Sequence, residues 1–269
     1  MKVLICYNKD KDKSKYCIDF FSKFFTEKGI EFYIIEKNDE EPNEKYDALF
    51  VIGGDGTILR RTKYANLYNV PIIGINTGKL GFLAEFKSEE LEELCNMFLN
   101  GELIKDERLT ICADYKGEKY YALNDVVVQR VYRESKSMII NIDVNIGNHK
   151  AEKIVGDGVI LCSPTGSTAY SLSLGGAVLA PDVNAFSFTP IAPHSFGIRP
   201  MIYSPETTSK IIYNGGNGAG FFVDGKLCAI LDKGDEISIN KCENKTVFLR
   251  KPTYDFYKRL TDRLRVREE

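Results

Sequence analysis

The run from Ala48 to Arg60, ALFVIGGDGTILR, restricts the fold of this chain more than any other stretch. Ala48 to Ile52 is apolar without a break, as a strand buried on both faces requires. Gly53, Gly54, Asp55 and Gly56 follow at once. Ligands of open α/β sheets bind outside the carboxyl ends of such strands. Glycines there let amide groups approach phosphate oxygens, and a following helix adds its positive end. The same residues also make an ordinary tight turn with a solvated Asp. On physical grounds alone both readings stand.

The surroundings of this strand favour a parallel sheet. KVLICY reads as a buried strand, and Ser14 to Lys28 carries Ile18, Phe21, Phe24 and Phe25 at helical spacing, with Gly29 as its stop. EFYII, ALFVI and PIIGIN read as further strands, and Thr57 to Asn66 as a short helix. Ser88 is placed to cap a helix carrying Leu91, Leu94 and Phe98 that ends at Asn100-Gly101. Strands alternating with helices predict a Rossmann-like α/β domain over residues 1–104.

Beyond Lys105 the texture changes. LTICADY, KYYALNDVVVQ, SMIINIDVNI, VILCS, KIIYN, AGFFVDG, EISINK and KTVFLR are β-branched runs separated by turn residues. They predict a β-rich C-terminal domain over residues 105–252. Thr168 to Leu174 is its best helix signal, and YNGGNGAGF reads as a loop between strands. Residues 253–266 form an amphipathic helix with Phe256, Tyr257, Leu260 and Leu264 on one face, expected to pack back on the first domain. A chain of 269 residues that is 43% apolar has the material for two such cores.

Several function classes drop out on composition. A net charge of -2 gives no field for nucleic acid or an anionic membrane, and no apolar run reaches the length of a bilayer span. MKVLICYN is too short to serve as a secretory signal. Seven scattered cysteines with no C-x-x-C pair read as reduced thiols of a cytoplasmic protein. Two histidines, His149 and His194, exclude a histidine-rich metal cluster.

Familiar nucleotide loops fail as well. Gly74 to Lys79 is one residue short of a P-loop and continues with Leu80. Gly54-Asp55-Gly56 lacks the third glycine of the dinucleotide fingerprint, because Leu59 stands there. What the chain does carry, in order, is GGDGT, GINTGKLGFLAEF, ALND, GDGVILCSPTGSTAYSLSLGGAV, PIAPHSFGIRP and FFVDG. This series, from Val51 to Gly225, resembles the NAD kinase family. Lipid kinases of the same superfamily follow GGDGT with a Val/Ile-Asn-Glu step, whereas here the chain runs Ile58-Leu59-Arg60.

The resemblance implies an α/β domain followed by a β-rich domain, and a homodimer or homotetramer with active sites between domains, completed by a neighbouring subunit. It implies transfer of the γ-phosphoryl group of ATP, or of polyphosphate, to the 2′-hydroxyl on the adenosine side of NAD. Asp55 is then the catalytic group facing that hydroxyl. Gly53, Gly54, Gly56 and Thr57 receive the donor phosphates, bridged by a divalent ion, Mg²⁺, held mainly by phosphates and water. Asn124 and Asp125 match the Asn-Glu pair that contacts adenosine, with Asp one methylene shorter. Asp157 matches the acidic residue near the nicotinamide, and Phe82 an aromatic at the pocket wall. Thr165, Thr168, Ala169, Tyr170 and Ser173 match the dinucleotide pocket, and Ala192 and His194 the segment reaching across a subunit interface. Asp224 borders the site by the same matching.

The residues alone leave plainer roles open. Phe82 and Tyr170 also read as core, Thr165 to Thr168 as a capped helix start, and Asp224 as a hairpin turn. A non-catalytic NAD or NADP sensor on the same fold, or a lipid or sugar kinase, are the alternative functions. The intact Asp55 favours catalysis over a sensor.

Overall fold

The computed structural model describes residues 1–7, 12–36, 42, 44–78, 81–131, 139–195, 197–216 and 218–265. Asn217, in the glycine-rich stretch read as a loop, and Val266, the end of the predicted last helix, lie outside them. The chain divides into two compact units, Met1–Glu107 with Thr246–Glu269, and Arg108–Lys245.

The first unit is an α/β domain. Its sheet runs in the order Glu31–Ile35, Lys2–Tyr7, Ala48–Ile52, Ile72–Asn76, Thr246–Arg250, Ile104–Arg108, with Phe86–Lys87 beside Ile72–Asn76. The pairs around Ala48–Ile52 are parallel, and every residue of that strand is buried. Helix Asp12–Glu27 covers one face, with the rings of Phe21 and Phe25 centred 5.2 and 5.4 Å from Phe50. It ends where Gly29 takes φ 65° and the Ile30 amide reaches back to the Phe25 carbonyl at 2.9 Å.

Three sequence expectations change in this unit. The single helix expected over Thr57 to Asn66 is two, Asp55–Leu59 and Thr62–Tyr68. Ser88 does not cap helix Leu91–Leu99; its hydroxyl bonds Glu89, while Glu90 occupies the cap position and accepts the Lys87 amide. Strand Thr246–Arg250, assigned from sequence to the β-rich domain, joins the sheet of the first unit. An alternating strand docks wherever its edge finds a partner, and Phe248 aligns with Ile72.

The second unit is two antiparallel six-stranded sheets. One orders His149–Gly156, Ile140–Ile146, Ser209–Gly216, Glu236–Lys241, Ile111–Tyr115 and Glu118–Ala122. The other orders Met201–Tyr203, Phe186–Ile191, Gly158–Cys162, Asp125–Arg130, Ala219–Val223 and Lys226–Leu231. Alternate residues of both, such as Ile140, Ile142, Val126, Val128, Phe186 and Phe188, fill one core, as period-2 patterning requires. The second sheet is also buried on its outer face, where Val127, Ile160, Cys162 and Ile191 cluster with Leu174. That outer layer is built by the turns after Cys162, a 3₁₀ turn Thr165–Thr168 and a short helix Tyr170–Ser173.

Candidate functional site

At the end of strand Ala48–Ile52 the last sheet bond is made by the Gly53 amide, 2.8 Å from the Ile75 carbonyl. A Cβ on Gly53 would lie 2.5 Å from the Thr57 hydroxyl, so only glycine lets the chain turn back on Thr57. Gly54 and Gly56 differ: a Cβ at either would meet nothing within 4 Å. The space before them is open, as a cradle for large anions needs. This refines the expected phosphate loop. The Gly53 amide is committed to Ile75 and the Thr57 amide to the Gly54 carbonyl, 2.9 Å, so the two cannot act as amide donors to phosphate. The amides of Gly54, Asp55 and Gly56 have no backbone acceptor among the described residues.

Asp55 opens helix Asp55–Leu59 and is half-buried. Its carboxylate is not simply solvated. The amide of Phe82 donates to it at 2.7 Å, that of Leu83 at 3.1 Å and that of Ala84 at 3.5 Å. A carboxylate offers about four lone-pair sites, so three amides leave room for a further donor. A Cβ on Gly81 would sit 1.9 Å from Asp55 Oδ1, which makes that glycine part of the arrangement. Phe82 is half-buried and not a core residue, with the Arg263 guanidinium 6.0 Å from its ring centre.

The second unit repeats the device. The stretch KYYALNDVVVQ is not one strand; it breaks at Leu123-Asn124 between Glu118–Ala122 and Asp125–Arg130. The amides of Leu123, Asn124 and Asp125 donate to the Asp224 carboxylate at 2.9, 2.8 and 3.1 Å. Asp224 and Gly225 take φ 47° and 79°, the pairing of a tight hairpin turn between Ala219–Val223 and Lys226–Leu231. Asp224 is therefore the hairpin residue and also the anchor of the segment that carries Asn124.

Burial raises the Asp224 carboxyl to about 6, against the lowering effect of the three amides. Burial, with the neighbouring Asp224 charge second, pushes Asp125 up to about 7. The side chains of Asn124 and Asp125 have no hydrogen-bond partner among the described residues, so their polar atoms are unspent.

Block Gly156 to Gly176 packs on this segment. The Ser163 amide bonds the Asn124 carbonyl at 2.9 Å and its hydroxyl bonds the Leu123 carbonyl. A Cβ on Gly166 would lie 2.0 Å from the Asn124 carbonyl oxygen. Ser167 ties the turn to Pro164 and Leu179, and Ser171 pairs with Thr189 at 2.8 Å. Ser163, Gly166, Ser167 and Gly81 are positioning residues that the sequence did not single out. No spacing distinguishes them from neighbouring small residues.

Of the expected pocket residues, Thr165 is buried, accepts a long bond from Arg108 at 3.4 Å, and receives the Thr168 hydroxyl on its carbonyl. Thr168 and Ala169 are half-buried, while Tyr170 and Ser173 are exposed. Tyr170 is 40% exposed, which overturns the core alternative for that ring. Asp125, Val127 and Gln129 alternate onto one face of their strand, and the Tyr170 hydroxyl lies 3.5 Å from Gln129 at its far end. There Arg130 pairs with Asp157 at 3.1 Å.

The Asp157 amide bonds the Ile191 carbonyl, which places Asp157 next to Ala192 and His194. Ala192 holds a left-handed φ of 42°, rare for a residue with a Cβ, and it and His194 are exposed. The strand thus joins two groups about 17 Å apart at 3.4 Å per residue. Among the described residues no group of three or more His, Cys, Asp or Glu converges as a metal site, and no helix is long and apolar enough to cross a membrane.

Comparison with known proteins agrees with both halves. Residues 5–103 match the family model of the ATP-NAD kinase N-terminal domain, and residues 123–251 that of the ATP-NAD kinase C-terminal domain. The NAD kinase of Clostridium botulinum (strain ATCC 19397 / Type A) is 33% identical over 270 residues, covering 97% of this chain and 95% of its own. That of Carboxydothermus hydrogenoformans is 35% identical over 232 residues, 84% of this chain and 82% of its own. An NAD kinase from Archaeoglobus fulgidus, solved in complex with ATP, aligns with a TM-score of 0.78 at 26% identity, over 98% of this chain and 99% of that one. A yeast NADH kinase complexed with NADH shares the fold, with a TM-score of 0.85 at 24% identity over 98% and 87% of the two chains.

Proposed function

The chain belongs to the NAD kinase family, and on that premise we propose that it transfers the γ-phosphoryl group of ATP to the 2′-hydroxyl of the adenosine ribose of NAD, giving NADP. The observation that carries the reading is the Asp55 carboxylate, fixed by three amides at the glycine-lined end of a buried strand. Phosphoryl transfer asks mainly for positioning and charge stabilisation. A secondary hydroxyl also has to shed a proton, and a carboxylate with a free lone pair is the group to orient it and receive it. The bond between the γ-phosphorus and its bridging oxygen breaks, the bond to the 2′-oxygen forms, ADP leaves, and the proton passes through Asp55 to solvent.

The open space at Gly54 and Gly56, with the free amides of Gly54, Asp55 and Gly56, suits the donor phosphates. A Mg²⁺ ion carried on phosphate oxygens and water would neutralise developing charge there. Asn124 and Asp125, with unspent polar atoms, hold the adenosine. Asp157 takes the nicotinamide end, and Thr165, Thr168, Ala169, Tyr170 and Ser173 line the dinucleotide path. Ala192 and His194 are exposed, and Ala192 is strained, as a segment meant for a second subunit would be, which supports a homo-oligomer. Seven free cysteines support a cytoplasmic setting.

Incubation with NAD and Mg²⁺, using ATP in one arm and inorganic polyphosphate in another, tests the reading. A dehydrogenase specific for NADP reports the product. NADP from the ATP arm is expected. Its absence with both donors overturns the proposal, and its appearance only with polyphosphate overturns the donor.

A further inference from the structure

We propose that Arg259, on helix Phe256–Arg265, is a positioning residue for Asp55, assisted by Arg250; this rests on the catalytic reading of Asp55 above. The Phe82 to Ala84 backbone is gripped from both sides. Its amides donate to the Asp55 carboxylate. Its carbonyls accept from two guanidinium groups: Arg259 Nη1 reaches the Ala84 oxygen at 2.6 Å and the Phe82 oxygen at 3.5 Å, and Arg250 Nη1 reaches the Leu83 oxygen at 2.6 Å.

Two peptide units lie directly in the line of charge. The unit made of the Phe82 carbonyl and the Leu83 amide has Arg259 at one end and Asp55 at the other. The unit made of the Leu83 carbonyl and the Ala84 amide has Arg250 at one end and Asp55 at the other. A peptide dipole held between a cation and an anion is polarised by both, so its amide becomes a better donor. The chain of contacts is therefore guanidinium, peptide, carboxylate, with the carboxylate oriented by a segment that the arginines immobilise.

The arginines are themselves built in. Arg250 is fully buried, its Nε 2.8 Å from Asp106 and its guanidinium 4.8 and 4.4 Å from the rings of Phe248 and Tyr254. Arg259 bonds Glu85 at 2.7 Å and lies 5.1 Å from the Tyr254 ring. One helical turn on, Arg263 lies over Phe82. Tyr257, expected on the buried face of this helix, is 66% exposed. The helix thus meets the Asp55 loop through arginines, where an apolar stripe was expected. A helix that served only to cover apolar surface would have no reason to spend guanidinium groups on backbone carbonyls.

The test is a double-mutant cycle on NADP formation. Arg259→Ala is expected to lower kcat about 10- to 100-fold, the scale of a small misplacement of a reacting group, with little change in KM for NAD. Arg259→Lys, which keeps the charge and loses the planar fork, should fall between the two. In an Asp55→Asn background, Arg259→Ala should cost less than about threefold more, because its effect runs through Asp55. Lys251→Ala removes ion pairs to Glu90 and Glu93 next to Arg250 and should leave kcat unchanged, controlling for general loosening. Full additivity of the two changes, or wild-type kcat in Arg259→Ala, overturns the inference. If Arg259→Ala does not fold, the same cycle is read with Arg259→Lys. A wild-type chain that makes no NADP sinks the parent reading instead.

Discussion

Two carboxylates in this chain are held in the same way and do different work. Asp55 takes the amides of residues 82–84, and Asp224 takes those of residues 123–125. Each has a glycine pressed against its arrangement: Gly81 against the Asp55 carboxylate, and Gly166 against the Asn124 carbonyl. Both residues are half-buried, and the difference lies in what surrounds each carboxylate. Desolvation drives the Asp224 carboxyl up to about 6, and its own backbone is committed to a hairpin turn. Asp55 stands beside Gly54 and Gly56, before which the space is open. One device can therefore fix a segment or present a reactive group, and the neighbouring chain, an open glycine turn or a closed hairpin, decides which.

The comparison breaks if the two prove interchangeable. Asp55→Asn should lower kcat about 100- to 10,000-fold while NAD binding, followed by calorimetry, persists. Gly81→Ala should act in the same direction more weakly, about 10- to 100-fold, because a Cβ 1.9 Å from Oδ1 must push the carboxylate off its amides. Neither should shift Tm as much as Asp224→Ala. That change leaves three part-buried amides without their acceptor and should cost about 3 kcal/mol, read by denaturant unfolding, with NAD affinity lost alongside. If Asp55→Asn costs stability like Asp224→Ala and activity no more, the distinction fails.

A pH dependence follows from the pair Asp125 and Asp224. Asp125 and Asp224 titrate higher in the fold, about 7 and 6, than an ordinary carboxyl near 3.8. Between roughly pH 4 and 7 the folded chain holds protons that the unfolded chain has released. The pair's contribution is thus full below about pH 4 and is lost as pH rises through about 7, on the order of a few kcal/mol. Asp125→Asn should flatten that part of the Tm profile. A wild-type Tm that instead rises from pH 4 to 7, with no change of slope in Asp125→Asn, would contradict the assignment.

Much of the architecture was legible from local pattern. The unbroken run Ala48 to Ile52 is a buried parallel strand, and the Gly29 stop falls where the helix ends. What was hidden depended on distant partners. The LND step in KYYALNDVVVQ allows a polar bend, but the residue that holds it, Asp224, lies about a hundred residues on. Thr246–Arg250 alternates like its neighbours in the β-rich domain, and only its pairing with Ile72–Asn76 assigns it to the first sheet. At the site, the motif residues themselves were readable, since glycines and carboxylates carry their chemistry in their type. Their supports were not: Ser163, Gly166, Arg250 and Arg259 act through backbone groups, which leave no mark on the residues they contact, and Gly81 acts by having no side chain where the Asp55 carboxylate lies.

Phosphorus NMR of the product tests the account most directly. The chain, saturated with NAD and supplied with ATP and Mg²⁺, should yield a phosphomonoester on the 2′-oxygen of the adenosine ribose. Asp55→Asn, binding NAD equally, should yield almost none in the same time. A phosphate at any other position, or an equal rate from Asp55→Asn, would contradict the catalytic role of Asp55 at the 2′-hydroxyl.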